Sequence, residues 1–110
     1  MRKITRLACD AFHNSRYFKL SNTEVICGSM ILFGNVIAHW RDGMIWISTA
    51  GWNTMTTIER LNGIRGVSLT KKKGQLYLNN IPWDGSWVNI YTWGQELTPK
   101  KSMFTKKEVL

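Results

Sequence analysis

The stretch Val36-Ile37-Ala38-His39-Trp40-Arg41-Asp42-Gly43-Met44-Ile45-Trp46-Ile47-Ser48 decides the fold class. Two runs rich in β-branched and aromatic residues flank Asp42-Gly43. That pair tolerates the positive φ angles a two-residue hairpin turn demands. The pattern predicts two antiparallel strands. On the second, Ile45 and Ile47 share one face, and Met44, Trp46 and Ser48 share the other. One face is therefore apolar, and Trp46 is expected to be partly exposed.

The same punctuation continues toward the N-terminus. Ser21-Asn22 reads as a turn, Thr23 to Cys27 as a strand closed by Gly28-Ser29, and Met30 to Phe33 as a second apolar run. Gly34-Asn35 fits a tight turn or a bulge. Residues 1–20 admit two readings. Ile4, Leu7, Ala8, Ala11 and Phe12 have helical spacing with basic residues between them. An extended arm ending in Tyr17-Phe18 fits the same residues.

Toward the C-terminus the densest segment is Ala50-Gly51-Trp52-Asn53-Thr54-Met55-Thr56-Thr57-Ile58-Glu59-Arg60-Leu61-Asn62-Gly63. Thr56-Thr57-Ile58-Glu59 fits a capping box, with Thr56 as N-cap, Glu59 at N3 and Thr54 as a competing cap. The predicted helix runs from Thr57 to Leu61 or Asn62, with Gly63 at C′. Trp52 is expected to pack back onto the sheet and fix the entry angle of the helix. Gly51, Trp52, Thr54, Thr56, Glu59, Arg60 and Asn62 together read as a structural motif. For Arg60 two roles stand open: pairing with Glu59 or the sheet edge, or contacting phosphate from an exposed position.

A meander follows. Gly66 to Thr70 reads as a strand, Lys71-Lys72-Lys73-Gly74 as a basic turn, and Gln75 to Leu78 as the return strand. Asn79-Asn80-Ile81-Pro82 breaks the ladder, and Trp83-Asp84-Gly85-Ser86 is another turn signature. In a last strand from Trp87 to Trp93, residues Trp87, Asn89, Tyr91 and Trp93 share one face. The sum is an α+β chain, predominantly antiparallel β. The expected architecture is a small curled sheet or partly open barrel with one short central helix. Residues 1–20 form a basic arm or short helix, 21–94 a single β-rich domain, and 95–110 a basic tail expected to be flexible.

Composition fits one core: 110 residues, 44% hydrophobic, with six tryptophans. No apolar run is long enough to span a bilayer, and no signal-peptide stretch follows the basic start, so cytoplasmic residence is the expectation. Cys9 and Cys27 are expected to be reduced thiols acting as small, partly buried hydrophobes. With His13 and His39 they match no usual zinc spacing, and no metal or cofactor is assigned.

The net charge of +8 is unevenly placed. One group lies in residues 1–20, a second is Arg65 with Lys71, Lys72 and Lys73, and a third includes Lys100 and Lys101. If they converge, they form a positive face that attracts phosphate backbones or an acidic protein surface. Solubility alone also accounts for such lysines. Trp87 and Trp93 are candidate stacking platforms for bases, or anchors on a protein partner. Packing of an aromatic face is the structural alternative.

Candidate catalysts are weak. Asp42 and Asp84 sit beside glycines, where Asp bonds to backbone in turns. His39 has no nucleophile in an elbow setting, and no glycine-rich nucleotide loop is present. No catalytic residue is assigned.

The segments Asn22-Thr23-x-Val25, Leu32-Phe33-Gly34-Asn35-x-Ile37-Ala38 and Ala50-Gly51-Trp52-x-Thr54-x-Thr56-Thr57-x-Glu59-Arg60-Leu61-Asn62 resemble small hypothetical proteins of tailed bacteriophages. Leu78-Asn79 and Trp83-Asp84-Gly85 extend the likeness, which covers about residues 12–90. The resemblance imports no activity and no catalytic residues. It implies a phage accessory protein made in the cytoplasm of a host bacterium. The expected function is non-enzymatic nucleic-acid binding through phosphate contacts. The alternatives are an inhibitor that binds a host bacterial enzyme or defence factor, and a structural or assembly component.

Overall fold

The computed structural model describes residues 2–94. Helix α1 (Lys3–His13) is followed by five strands, β1 (Phe18–Leu20), β2 (Thr23–Ile26), β3 (Ser29–Leu32), β4 (Asn35–Arg41) and β5 (Met44–Ile47). Helix α2 (Met55–Asn62) then leads into β6 (Leu69–Lys72), β7 (Gln75–Leu78), β8 (Ile81–Trp83) and β9 (Val88–Asn89). One sheet has the order β1-β2-β3-β4-β5-β9 and the other β6-β7-β8. All pairings are antiparallel.

The fold is thus α+β with antiparallel sheets, but the expected barrel and the single helix are both corrected. Neither sheet closes: β1 and β9 are the edges of one, β6 and β8 of the other. There are two helices among the described residues, because the N-terminal segment is helical rather than extended. Its buried face is Thr5, Ala8, Cys9, Ala11 and Phe12, while Ile4 and Leu7 are only half-buried. The apolar stripe is rotated from the one the hydrophobic spacing predicts. Thr5 enters the interior because its hydroxyl finds a donor there, described below.

Turn chemistry builds the meander. Asp42 and Gly43 have φ of 54° and 74°, the two left-handed residues of a type I′ turn. Its backbone twist matches that of the flanking strands, which explains the register Arg41 opposite Met44. Cys27-Gly28, Phe33-Gly34, Lys73-Gly74 and Asn79-Asn80 repeat this conformation. Two expected turns therefore move by one residue or more. The β3–β4 turn centres on Phe33-Gly34 rather than Gly34-Asn35. Asn79-Asn80 does not break the ladder but turns it into β8, where Pro82 sits on an edge strand that needs no N–H donor there.

The core lies between the inner face of the larger sheet and the two helices, and continues into the smaller sheet. Val25, Met30, Ile37, Ala38, Ile45 and Ile47 come from the sheet; Ile58 and Leu61 from α2; Leu69, Leu76, Leu78 and Trp83 from the second sheet. A bulge between Met30 and Ile31 pairs two residues of β3 with three of β4, so Ile37 and Ala38 are both buried. Trp40 donates its indole N–H to the Phe12 carbonyl at 2.8 Å and stacks on the Phe12 ring, docking the end of α1. Trp93 donates to the Leu78 carbonyl at 2.7 Å, fastening the segment after β9 to the second sheet.

The last strand is short. Asn89 accepts the Tyr91 N–H on its side-chain oxygen, and its carbonyl accepts the N–H groups of Thr92 and Trp93. That folds residues 91–94 into a turn, so the expected strand from Trp87 to Trp93 stops at Asn89, and the shared face of Trp87, Tyr91 and Trp93 does not form. The basic tail, with Lys100 and Lys101, lies outside the described residues. Among those described, no helix is long and apolar enough to cross a membrane.

Candidate functional site

The segment from Thr49 to Thr57 makes the most distinctive local structure. Ala50 and Gly51 both have positive φ, 55° and 84°, and the Trp52 N–H returns to the Thr49 carbonyl at 2.9 Å. The turn is seated on Gly85: Thr49 N–H and Ser48 Oγ both donate to the Gly85 carbonyl, each at 2.9 Å. A Cβ on Gly85 would lie 2.5 Å from Thr49 Oγ1, so the two loops touch where only glycine fits. Asp84 holds its own loop by accepting the Ser86 N–H and hydroxyl, which keeps its carboxyl below the usual range.

This rigid loop directs Trp52 outward. The expectation that Trp52 packs back onto the sheet is corrected: it is 58% exposed. Phe33, forced to the surface by its left-handed turn position, is 66% exposed. Both line a cleft of about 310 Å³ with Leu32, Asn35, Ile37, Thr49, Thr54 and Thr57. That volume is at the small end of ligand-sized cavities. The lining has apolar residues from β3 and β4, threonines from the loop and α2, two exposed aromatics and no carboxylate.

Thr54, not Thr56, is the N-cap of α2: its hydroxyl accepts the Thr57 N–H at 3.3 Å. The capping box with Glu59 is therefore not made. The helix starts two residues earlier than that box requires, and Glu59 pairs with Arg60 and Arg2 instead. No acid occupies the first turn. Gly63 is the C-cap but has ordinary right-handed φ, −79°. Its lack of a side chain serves packing rather than backbone conformation, as its contact with α1 shows.

Arg60 is inside the protein, 1% exposed. Its Nε donates to Thr23 Oγ1 at 3.0 Å, and Nη1 donates to Thr5 Oγ1 at 2.8 Å and to Glu59 Oε1 at 2.6 Å. Nη2 reaches Asn22 Oδ1 at 3.4 Å. The guanidinium fork joins α1, α2 and β2 and is spent on those contacts. Asn62 bonds both backbone groups of Leu69, placing the start of β6. Thr56 is half-buried on the same helix.

The candidate binding residues divide among several places. Lys71 and Lys72 are exposed on β6, and Lys73 is at the turn, so the lysines extend a strand rather than filling a loop. Lys71 Nζ donates to the Asn53 carbonyl at 2.9 Å, beside Trp52 and Thr54 of the cleft. Arg65 lies elsewhere, with Arg6, Asp10, His13 and Asn14 around a recess on α1. Its N–H donates to His13 Nε2 at 3.1 Å. Burial and then the Arg65 charge lower the His13 pKa, with Asp10 opposing. Trp87 is exposed and packs edge-on against His39, with ring centroids 4.8 Å apart. Trp93 is turned onto the core.

The structure ties Lys71 to Asn53, which stands between the cleft residues Trp52 and Thr54 in sequence, and does not bring Trp87 and Trp93 together on one strand. Phe33 was missed as a candidate. Its signal is a large aromatic in an X-Gly turn, where φ is positive and the side chain gains no core contact. The thiols also differ. Cys9 is buried, with its pKa pushed up to about 12 by desolvation, whereas Cys27 is exposed in a turn, contrary to the expected partial burial. Among the described residues no three His, Cys, Asp or Glu side chains gather as metal ligands.

Fold and cleft together describe a small α+β protein of antiparallel sheets with an aromatic-lined cleft. The chain belongs to the phage-associated family described as Kyanoviridae Gp96 protein, which matches residues 1–98. No curated protein and no solved structure matches the chain.

Proposed function

We propose that this phage-associated protein binds nucleic acid without catalysis, mainly through phosphate contacts made by Lys71, Lys72 and Lys73. The observation that supports this reading is the placement of Lys71. Its ammonium lies beside Asn53, next to an aromatic cleft that has no carboxylate among its lining residues. An exposed aromatic patch remote from lysines favours a protein partner; here Lys71 is bonded to Asn53, between the cleft residues Trp52 and Thr54 in sequence. In this reading the phosphates of a strand crossing β6 and its turn meet the exposed side chains of Lys71, Lys72 and Lys73. Arg65, on the α1 recess, is a secondary contact in this reading, as are Lys100 and Lys101.

The test is fluorescence anisotropy with labelled single- and double-stranded DNA and RNA across a salt series. Binding that weakens steeply with salt, and a smaller salt slope for K71A/K72A/K73A, is the expected result. Absence of binding at low salt sinks the proposal.

One observation favours a protein partner as the second reading. Ile26 and Val36 are exposed on the outer face of the larger sheet, and Trp87 lies on His39 of the same face. That surface carries none of Lys71–Lys73 and suits an inhibitor or assembly contact.

A further inference from the structure

We infer that the cleft between Phe33 and Trp52 receives a nucleobase of a single strand, so that the protein discriminates single-stranded from duplex nucleic acid. The inference rests on the phosphate-contact reading above and names which part of the ligand the same surface takes.

Four observations carry it. The cleft holds about 310 Å³, room enough for one planar ring system but small for a folded peptide segment. Leu32 and Ile37 give it an apolar lining that suits a ring face, while Asn35 and Thr49 supply polar groups for a ring edge. Phe33 occupies, and Trp52 directly follows, a pair of positive-φ residues, so the backbone holds both aromatics at the surface, where a base can stack on them. The charge suits the attached phosphates: Lys71 is bonded to Asn53, between the lining residues Trp52 and Thr54 in sequence, and the first turn of α2, whose Thr54 and Thr57 line the cleft, contains no acid; Glu24, in the neighbouring recess that Phe33 shares, is accompanied there by Lys19. The acid nearest that helix start in sequence, Glu59, is neutralised by Arg60 and Arg2.

A base paired and stacked within a duplex cannot enter such a cleft without being flipped out, which costs unstacking and unpairing energy. A single strand presents its bases freely. The lysines serve both kinds of ligand, and the cleft serves only one. That division separates the two claims experimentally.

The experiment compares anisotropy of one labelled oligonucleotide, single-stranded and as its duplex, with the full chain and four variants. These are Trp52→Ala, Trp52→Phe, Phe33→Asn and the triple variant K71A/K72A/K73A. Asn tolerates the left-handed turn position of Phe33, and Trp52 is exposed, so these variants keep the fold. The expected result is a loss of about tenfold or more in single-strand affinity for Trp52→Ala and Phe33→Asn, with duplex affinity unchanged and Trp52→Phe close to the original protein. Single-strand binding that survives both cleft variants but fails in the triple lysine variant overturns the cleft inference and leaves the phosphate reading standing. Equal losses for single strand and duplex in the cleft variants also overturn it. No nucleic-acid binding by the unaltered chain overturns both.

Discussion

Arg60 Nη1 donates to Thr5 Oγ1 at 2.8 Å, a side-chain bond between α2 and α1 across 55 residues of sequence. The same guanidinium satisfies Thr23 and pairs with Glu59. Removing it leaves two buried hydroxyls without that donor and Glu59 without its nearest cation. Arg60→Ala is expected to destabilise the protein by about 2–3 kcal/mol, from the buried hydroxyls left without their donor and the lost packing of the side chain. Arg60→Lys is expected to recover only part of this, because an ammonium cannot reproduce the planar fork. Urea denaturation midpoints measure both; a change in Arg60→Ala below about 1 kcal/mol contradicts the role given to the side chain.

Gly63 and Cys9 set the closest approach of the helices. A Cβ at Gly63 would lie 2.5 Å from Cys9 Sγ and 2.7 Å from Thr5 Cγ2. Both neighbours are short and buried, so they have little room to yield. Gly63→Ala is expected to cost about 1–3 kcal/mol despite the gain in helix propensity. Adding Cys9→Ala to that variant removes the sulfur and is expected to recover part of the loss. Thermal melts of the single and double variants decide the point: if Gly63→Ala melts at or above the original temperature, the packing argument fails.

Protonation of His13 is expected to destabilise the fold. Neutral His13 accepts the Arg65 N–H, and the folded-state pKa lies below its ordinary value of 6.5. The folded state therefore binds fewer protons than the unfolded state as pH falls through that value. The contribution is complete above about 6.5 and is lost on acidification through the lowered folded pKa. A His13→Gln variant is expected to show a flatter stability profile between about pH 7 and pH 5. Parallel urea titrations at several pH values make the comparison; identical slopes for the two proteins count against it.

The two thiols are expected to react very differently. Cys27 is exposed, while Cys9 is buried with a pKa pushed up to about 12. A thiol-specific chromogenic reagent near pH 8 is expected to modify Cys27 quickly, with Cys9 reacting only on unfolding. Cys27→Ser is expected to abolish the fast phase. Two fast phases in the native protein would place Cys9 at the surface, against the structure.

Much of the sheet was legible because its turns are written in adjacent residues. Asp42-Gly43 specifies positive φ twice, and the strands beside it alternate faces as the burial of Ile45 and Ile47 shows. The helix after Trp52 was legible in existence but not in its first residue. Thr54 and Thr56 have the same capping chemistry, and the choice depends on where the seated Thr49–Asn53 loop delivers the chain. The final strand is shorter than its alternation implies, because Trp87, Asn89, Tyr91 and Trp93 fit a strand pattern that takes no account of the side-chain turn that Asn89 makes. For the candidate site, Lys71–Lys73 were visible as charge, but their neighbour Trp52 was assigned inward and Phe33 was not considered.

The sequence by itself determined the antiparallel strands, most of their turns and the basic character of the chain. These depend on φ preferences, alternation and charge, which neighbouring residues set. The tertiary structure alone decided that Arg60 goes inside, that α1 presents Thr5 to it, and that Trp52 and Phe33 stay outside around one cleft. A guanidinium can be buried only where acceptors converge, and its acceptors Thr23 and Thr5 stand 37 and 55 residues away. Trp52 stands at the surface on a loop fixed by the contacts of Ser48 and Thr49 with Gly85. Such distant partners are not encoded in the spacing of any short segment.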